Sequence, residues 1–268
     1  MAGGSRQPGR TVTAKVLSIL SIFEHSRGSL SLTQIADEAE LPLSTAHRLV
    51  GELVDAGILA RGPHGKIQLG LKLWSIAQNT GRQLRDTARP FVQDLFSLTG
   101  QTSQLAIRDG ASSLYIDRVY GSTRVPRASR VGGRLPLHAT AVGKVLLAFS
   151  EPWVADGYLA RELKPLTART KTNPNVLREE LAKIRDQGFA TTLDEVRTGA
   201  SSIAVPVYHT GQLGCAIGLV MPSSNIATMQ RHLPVLYGIS KRIEEATAHI
   251  PLETLLGAFR DPTSPPDE

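Results

Sequence analysis

Ser44, Thr45, His47 and Arg48 place two hydroxyls, an imidazole and a guanidinium within five positions of one another. Ala46, Leu49, Val50 and Leu53, interleaved with them, follow the i, i+3, i+4, i+7 spacing of a buried helix face, so the polar set with Gly51 is turned elsewhere. A planar guanidinium matches the O6 and N7 acceptors of guanine, and Ser or Thr hydroxyls meet base edges or phosphates. That chemistry suits the first turns of a helix lying in the major groove of double-stranded DNA. Arg61, His64 and Lys66 follow shortly after and suit a phosphate backbone, and Thr33 stands one short helix earlier.

The flanking sequence supplies the elements such a helix needs. Val16, Ile19, Leu20 and Phe23 line one face of a first helix, which Ser26-Arg27-Gly28-Ser29 breaks. A second, from Leu32 to Ala39, is capped by Ser31 or Thr33 and turns Leu32, Ile35, Ala36 and Ala39 inward. Glu40-Leu41-Pro42 is the turn, and the Ser44 hydroxyl is expected to cap a third helix that runs to about Ala56 and stops at Gly57. Ile58–Arg61 and Lys66–Leu69 then read as two short strands joined by Gly62-Pro63-His64-Gly65. Three helices and a hairpin in this order predict a winged helix-turn-helix over residues 11–70. No Asp or Glu falls between Ala56 and Arg85, whereas Arg61, Lys66 and Lys72 do, which adds a basic wing.

Global charge says less. The net charge is +6 with a pI near 9.7, but residues 1–82 carry nine Lys plus Arg against six Asp plus Glu, and the remainder 21 against 18, so each part contributes +3. At 268 residues and 41% hydrophobic the chain has material for two domains at about 100 to 200 residues each. A single cysteine, Cys215, rules out an intrachain disulfide, fits the reducing cytoplasm and lies in an apolar run expected to bury it. No signal peptide is legible in residues 1–10, and no apolar run approaches the about 20 residues that span a membrane. Residues 1–10 are expected to be a disordered arm and 251–268 a tail.

Leu71, Trp74, Ile76, Ala77 and Leu84 form an imperfect amphipathic stretch, expected to be a linker helix over 71–85 that pairs with its copy in a homodimer. Residues 86–250 read as a second domain: a helix from Ala88 to Leu98, strands 103–108 and 113–119 around Asp109-Gly110-Ala111, helices 139–149 and 175–187, strands 203–207 and 212–220, and a last helix from Ile226 to His249. This is an α+β arrangement suited to enclosing a small molecule.

The segments LTQIADEAELPLSTAHRLVGELVDAGIL, KIQLGLKLWSIA, GGRLPLHATAVGKVLLAF and IRDQGFATTLDEVRTGASSIAVPV together resemble the IclR family of bacterial transcriptional regulators, over nearly the whole chain. The resemblance implies a GAF-like effector-binding domain after the winged helix-turn-helix, a dimer or dimer of dimers on DNA, and ligand-controlled repression of a catabolic operon, with activation as the alternative. It further implies an effector cavity lined by Leu137, Ala141, Val142, Thr192, Asp194, Ser202, Gly218 and Val220. Thr192 stands where members that bind small acids have an acidic residue, and Gly218-Leu219-Val220-Met221-Pro222 replaces their Ser-x-Ser-Gly-Pro strand, which points to a larger or aromatic effector. From the residues alone, a second acid-free stretch between Arg118 and Glu151 contains Arg124, Arg127, Arg130 and Arg134, and one of the first three is expected to clamp an organic carboxylate.

Enzyme readings fare poorly. His138-Ala139-Thr140-Ala141-Val142-Gly143-Lys144-Val145 has His where a phosphate-binding loop requires Gly and Val where it requires Ser or Thr. Gly199-Ala200-Ser201-Ser202-Ile203 lacks the closing Gly of a nucleophile elbow. His138 has no second His or Cys at ligand spacing, so neither metal nor cofactor is expected. A small-molecule enzyme carrying a nucleic-acid module is the competing class.

Overall fold

A computed structural model describes residues 10–26, 28–77, 82–121, 130–252 and 255. The chain divides into two compact units, 1–80 and 81–268.

In the first unit α1 (Val12–His25), α2 (Leu32–Glu38) and α3 (Leu43–Asp55) surround a core of Ile19, Phe23, Ile35, Ala46, Leu49 and Val50. β1 (Leu59–Arg61) and β2 (Ile67–Leu69) pair antiparallel with Leu59 opposite Leu69. Leu59 and Ile67 enter the same core, and Leu30 bridges Ile67 through reciprocal backbone bonds of 2.8 and 2.7 Å. Ser31 caps α2 in a capping box, its Oγ accepting from Gln34 N–H at 3.2 Å while the Gln34 side chain accepts from Ser31 N–H at 2.9 Å. The expected Ser44 cap does not form. Pro42 is the N-cap of α3 and no side chain bonds the first turn, because the helix starts at Leu43 and places Ser44 already inside it. Gly57 ends α3 in the left-handed region at φ 72°. The stretch 71–85, expected as one linker helix, falls on α4 (Leu71–Ala77) and the start of α5 (Arg82–Thr99), residues 78–81 lying outside the described set.

The second unit is built on β3 (Thr102–Asp109), β4 (Ser112–Val119), β5 (Arg134–Pro136), α6 (Ala141–Ala148), α7 (Pro152–Leu159), α8 (Pro174–Gln187), β6 (Ala190–Leu193), β7 (Ala200–His209), β8 (Gln212–Pro222) and α9 (Leu233–Thr247). Its antiparallel sheet runs β5-β4-β3-β8-β7-β6. The two sheet faces differ in side-chain size. Leu105, Ile107, Ile203, Val205, Ile217 and Leu219 pack on one side with α5 and α9, whereas Ala106, Ala204 and Ala216 seat α6 on the other. Small residues on that face let a helix approach until every one of its residues is buried. Gly143 is part of the fit, since a Cβ there would lie 2.4 Å from the Leu137 carbonyl oxygen.

The helix expected from Ile226 to His249 divides instead: Ser223–His232 is a 3-10 run and α9 begins at Leu233. Pro234 explains the break, since it lacks an N–H and restricts its predecessor but fits the first turn of a new helix. The helix expected to start at Ala139 starts at Ala141, after a short 3-10 turn over Leu137–Ala139, because Thr140 takes the N-cap and accepts from Gly143 N–H at 3.0 Å. The helix expected from Ala88 already begins at Arg82. Strands β5 and β6 and helix α7 were not read from the sequence.

Candidate nucleic-acid interface and effector cavity

All the residues singled out for DNA lie at least partly on the surface of the first unit. Thr33 is exposed on α2; Ser44, His47 and Arg48 are exposed on α3, with Thr45 half-buried beside them. Arg61 ends β1, His64 sits in the turn at φ 58°, and Lys66 precedes β2, all three exposed. Arg48 Nη1 donates to Glu52 Oε1 at 2.6 Å across one helical turn. Arg10, which sequence reasoning passed over, donates to the Ala39 carbonyl at 3.0 Å and pairs with Glu40 at 3.1 Å, holding the turn that leads into α3.

In the second unit an open cavity lies on the small-residue side of the sheet. Register assembles it from distant segments: Thr192 of β6 opposes Ser202 of β7, Ser202 opposes Val220 of β8, and Gln104 of β3 opposes Gly218 of β8. The Thr192 and Ser202 hydroxyls bond each other at 2.5 Å. Thr140 enters beside them and contacts the Ser113 hydroxyl at 3.2 Å. Leu135, Val196 and Val220 supply apolar wall. Arg118 also lines the cavity, its guanidinium carbon 5.9 Å from the Tyr115 ring centre and 5.2 Å from that of Tyr120, within range for cation–π contact.

Of the effector residues expected from the sequence, Thr192, Ser202 and Val220 line this cavity. Leu137, Ala141 and Val142 are fully buried behind it and are not among the lining residues. Gly218 is in the sheet floor, where a Cβ would sit 2.7 Å from the Ile203 carbonyl oxygen. Asp194 is not in the lining either: its carboxylate accepts from the Ser223 hydroxyl and from Gly199 N–H at 2.7 Å, tying down the loop that carries Val196. The Ser223 hydroxyl, followed by that backbone donor, holds the Asp194 carboxyl below its ordinary range. Arg124 and Arg127 lie outside the described residues, Arg130 is exposed, and Arg134 pairs with Asp109 at 2.7 Å. Sequence reasoning noted Arg118 only as the edge of an acid-free stretch. It missed Gln104, Tyr115 and Thr140; the strands of the first two are buried in runs, and a β-bulge in β4 shifts their register.

Behind the cavity the fully buried Lys144 donates to both oxygens of Glu195, at 2.7 and 2.9 Å, and to both of Glu180, at 3.0 Å each. Lys171 adds a second cation to Glu180 at 2.9 Å. Burial raises the Glu195 carboxyl above its ordinary range, opposed by the Lys144 charge. His138 engages both ring nitrogens. Nε2 faces the Lys164 carbonyl at 3.2 Å and so carries the proton, leaving Nδ1 to accept from the Tyr158 hydroxyl at 2.7 Å. Burial lowers its pKa, which suits the neutral ring. Burial pushes the Cys215 thiol up to about 12, far from nucleophilic. Among the described residues no cluster of three or more His, Cys, Asp or Glu could hold a metal ion, and no helix is long and apolar enough to cross a membrane.

A winged helix-turn-helix joined to a curled antiparallel sheet with a cavity on one face defines a DNA-binding regulator with an effector-binding domain. Residues 12–63 match the IclR helix-turn-helix domain, and residues 77–242 match the C-terminal domain of bacterial transcriptional regulators of the IclR type. The HTH-type transcriptional regulator XynR of Escherichia coli K12 is 33% identical over 221 residues, covering 79% of this chain and 86% of XynR. The HTH-type transcriptional repressor AllR of Salmonella typhi is 30% identical, covering 82% and 83%. Among solved structures, an IclR homologue of Microbacterium hydrocarbonoxydans complexed with 4-hydroxybenzoate superposes with a TM-score of 0.83 at 32% identity, covering 88% of this chain and 98% of that one. The chain belongs to the IclR family of transcriptional regulators, and is not an enzyme.

Proposed function

We propose that this regulator is a cytoplasmic repressor of a catabolic operon, released from or held on its operator by an aromatic carboxylate bound in the second unit. The observation that carries the effector class is Arg118, held near Tyr115 and Tyr120 at a cavity that also offers the Thr192 and Ser202 hydroxyls and the apolar side chains of Leu135, Val196 and Val220. A guanidinium takes a carboxylate, an apolar wall takes a ring, and a hydroxyl pair takes a polar ring substituent. The 4-hydroxybenzoate held by the Microbacterium homologue has all three parts. Repression follows the named role of AllR.

The DNA-reading residues are those at the start of α3, with Thr33, Arg61, His64 and Lys66 on the phosphates. The active species is a homodimer, further paired as a dimer of dimers on DNA. Leu71, Trp74 and Ile76, all exposed on α4, support a pairing surface between copies.

Fluorescence anisotropy of the full chain on DNA from upstream of its own gene, against scrambled DNA at physiological salt, tests the regulator. Titrating 4-hydroxybenzoate and benzoate into the complex tests the effector. The expected result is selective binding that shifts with the aromatic acids, and loss of that shift in Arg118→Gln with operator binding retained. An unchanged response in Arg118→Gln would remove the carboxylate assignment.

A further inference from the structure

Among the described residues Glu52 is the one acidic side chain bonded to the reading face, and its position calls for a reason. A carboxylate there repels DNA phosphates and weakens binding to every sequence. Helix stability does not supply the reason. Both partners of the Arg48–Glu52 pair are more than half exposed, and exposed pairs contribute little. The order is also the weaker one, since a carboxylate four residues after its cation runs against the helix dipole.

What the contact does is fix a long side chain. Glu52 Oε1 takes Arg48 Nη1 at 2.6 Å from one turn further along α3. That leaves the opposite edge of the guanidinium, the parallel Nε–H and Nη2–H donors, unused among the described residues. Two parallel donors on one plane are the fork that grips O6 and N7 of guanine. An untethered Arg would have to order its rotamers on binding and could turn any of its donors to a phosphate instead.

We infer that Glu52 is a positioning residue for base reading: it orients Arg48 so that its Nε/Nη2 edge reads guanine, trading general DNA affinity for discrimination. The inference rests on the proposed reading role of Arg48.

The test starts from an operator selected by the full-length chain out of a randomised duplex pool, with the guanine read by Arg48 identified as the position where Arg48→Ala loses its preference. Glu52→Ala and Glu52→Gln are then compared on the operator, on the operator with that G·C pair changed to A·T, and on scrambled DNA. The expected result for Glu52→Ala has two opposite signs: binding to scrambled DNA stays level or tightens, while the guanine preference falls about tenfold. Glu52→Gln, whose amide oxygen can still accept from Arg48, keeps part of the preference. If both variants bind all three duplexes more tightly by one common factor and keep the full guanine preference, Glu52 is only a surface charge and the inference is overturned while DNA reading stands. If the wild-type chain selects no sequence, or Arg48→Ala changes no position, the reading role of Arg48 fails and this inference fails with it.

Discussion

Replacing Lys144 with Met should destabilise the second unit by about 3 to 5 kcal/mol, the usual cost of removing one partner from a buried ionic cluster. The ammonium is fully buried and lies within 3.0 Å of four carboxylate oxygens. Met keeps an unbranched apolar stem, so the change removes charge and donors more than packing. Glu180 retains Lys171 at 2.9 Å, so the loss falls on Glu195. Burial already lifts the Glu195 carboxyl, with Lys144 holding it down, and without the lysine it rises further. A carboxyl with a folded value above its unfolded one binds more protons in the folded state. Its contribution is therefore complete below the unfolded value, about 4.3 for Glu, and is lost as pH rises through the folded value. The penalty in Lys144→Met should accordingly be smallest in acid and reach full size near neutrality. Glu195→Gln in the same background should recover much of it by removing the unpaired charge. Urea unfolding followed by Trp153 fluorescence, in a Trp74→Phe background, reports the second unit alone. A loss under about 1 kcal/mol at neutral pH, the range of a surface pair, or a full-sized loss with no pH dependence, would refute the argument.

Gly143→Ala should cost about 3 kcal/mol or more, since the added Cβ meets the Leu137 backbone at 2.4 and 2.6 Å and neither helix nor turn can retreat from a buried seat; thermal unfolding checks it. Cys215 should leave Ellman's reagent unreacted at pH 8 in the native protein and react fully in urea, because burial keeps it a thiol, and rapid labelling of the native chain would contradict the described packing.

The helices of the first unit were legible because each has one buried stripe: Ile19 with Phe23, Ile35 with Ala36, Ala46 with Leu49 and Val50. The hairpin turns were legible for a different reason, since Gly65, Gly110 and Gly211 stand where the backbone takes positive φ. The cavity was legible only in part. Thr192, Ser202 and Val220 came from likeness to a family, while Gln104, Tyr115, Thr140 and Arg118 were missed. Both faces of the sheet are covered, so strand residues are buried in runs, as in β7 and β8, and alternation of apolar and polar residues is blurred. Register between strands about 100 residues apart then decides which side chains meet, and periodicity along one strand does not contain it. Alpha-6 misled on its start for a local reason, Thr140 competing successfully for the cap.

The unequal faces of the sheet bear on how such a regulator can change its ligand over evolutionary time. Leu105, Ile203, Val205, Ile217 and Leu219 are committed to the α5 and α9 side, where a lost methylene leaves a void. Residues of opposite parity on the same strands, Gln104, Ser202 and Val220, border space that is not filled by protein. Exchanging one of them for a larger or smaller side chain reshapes that space without disturbing the packing on the far side. Drift in effector choice is thereby uncoupled from drift in stability, and a duplicated gene could acquire a new effector through a few changes of one parity on these three strands.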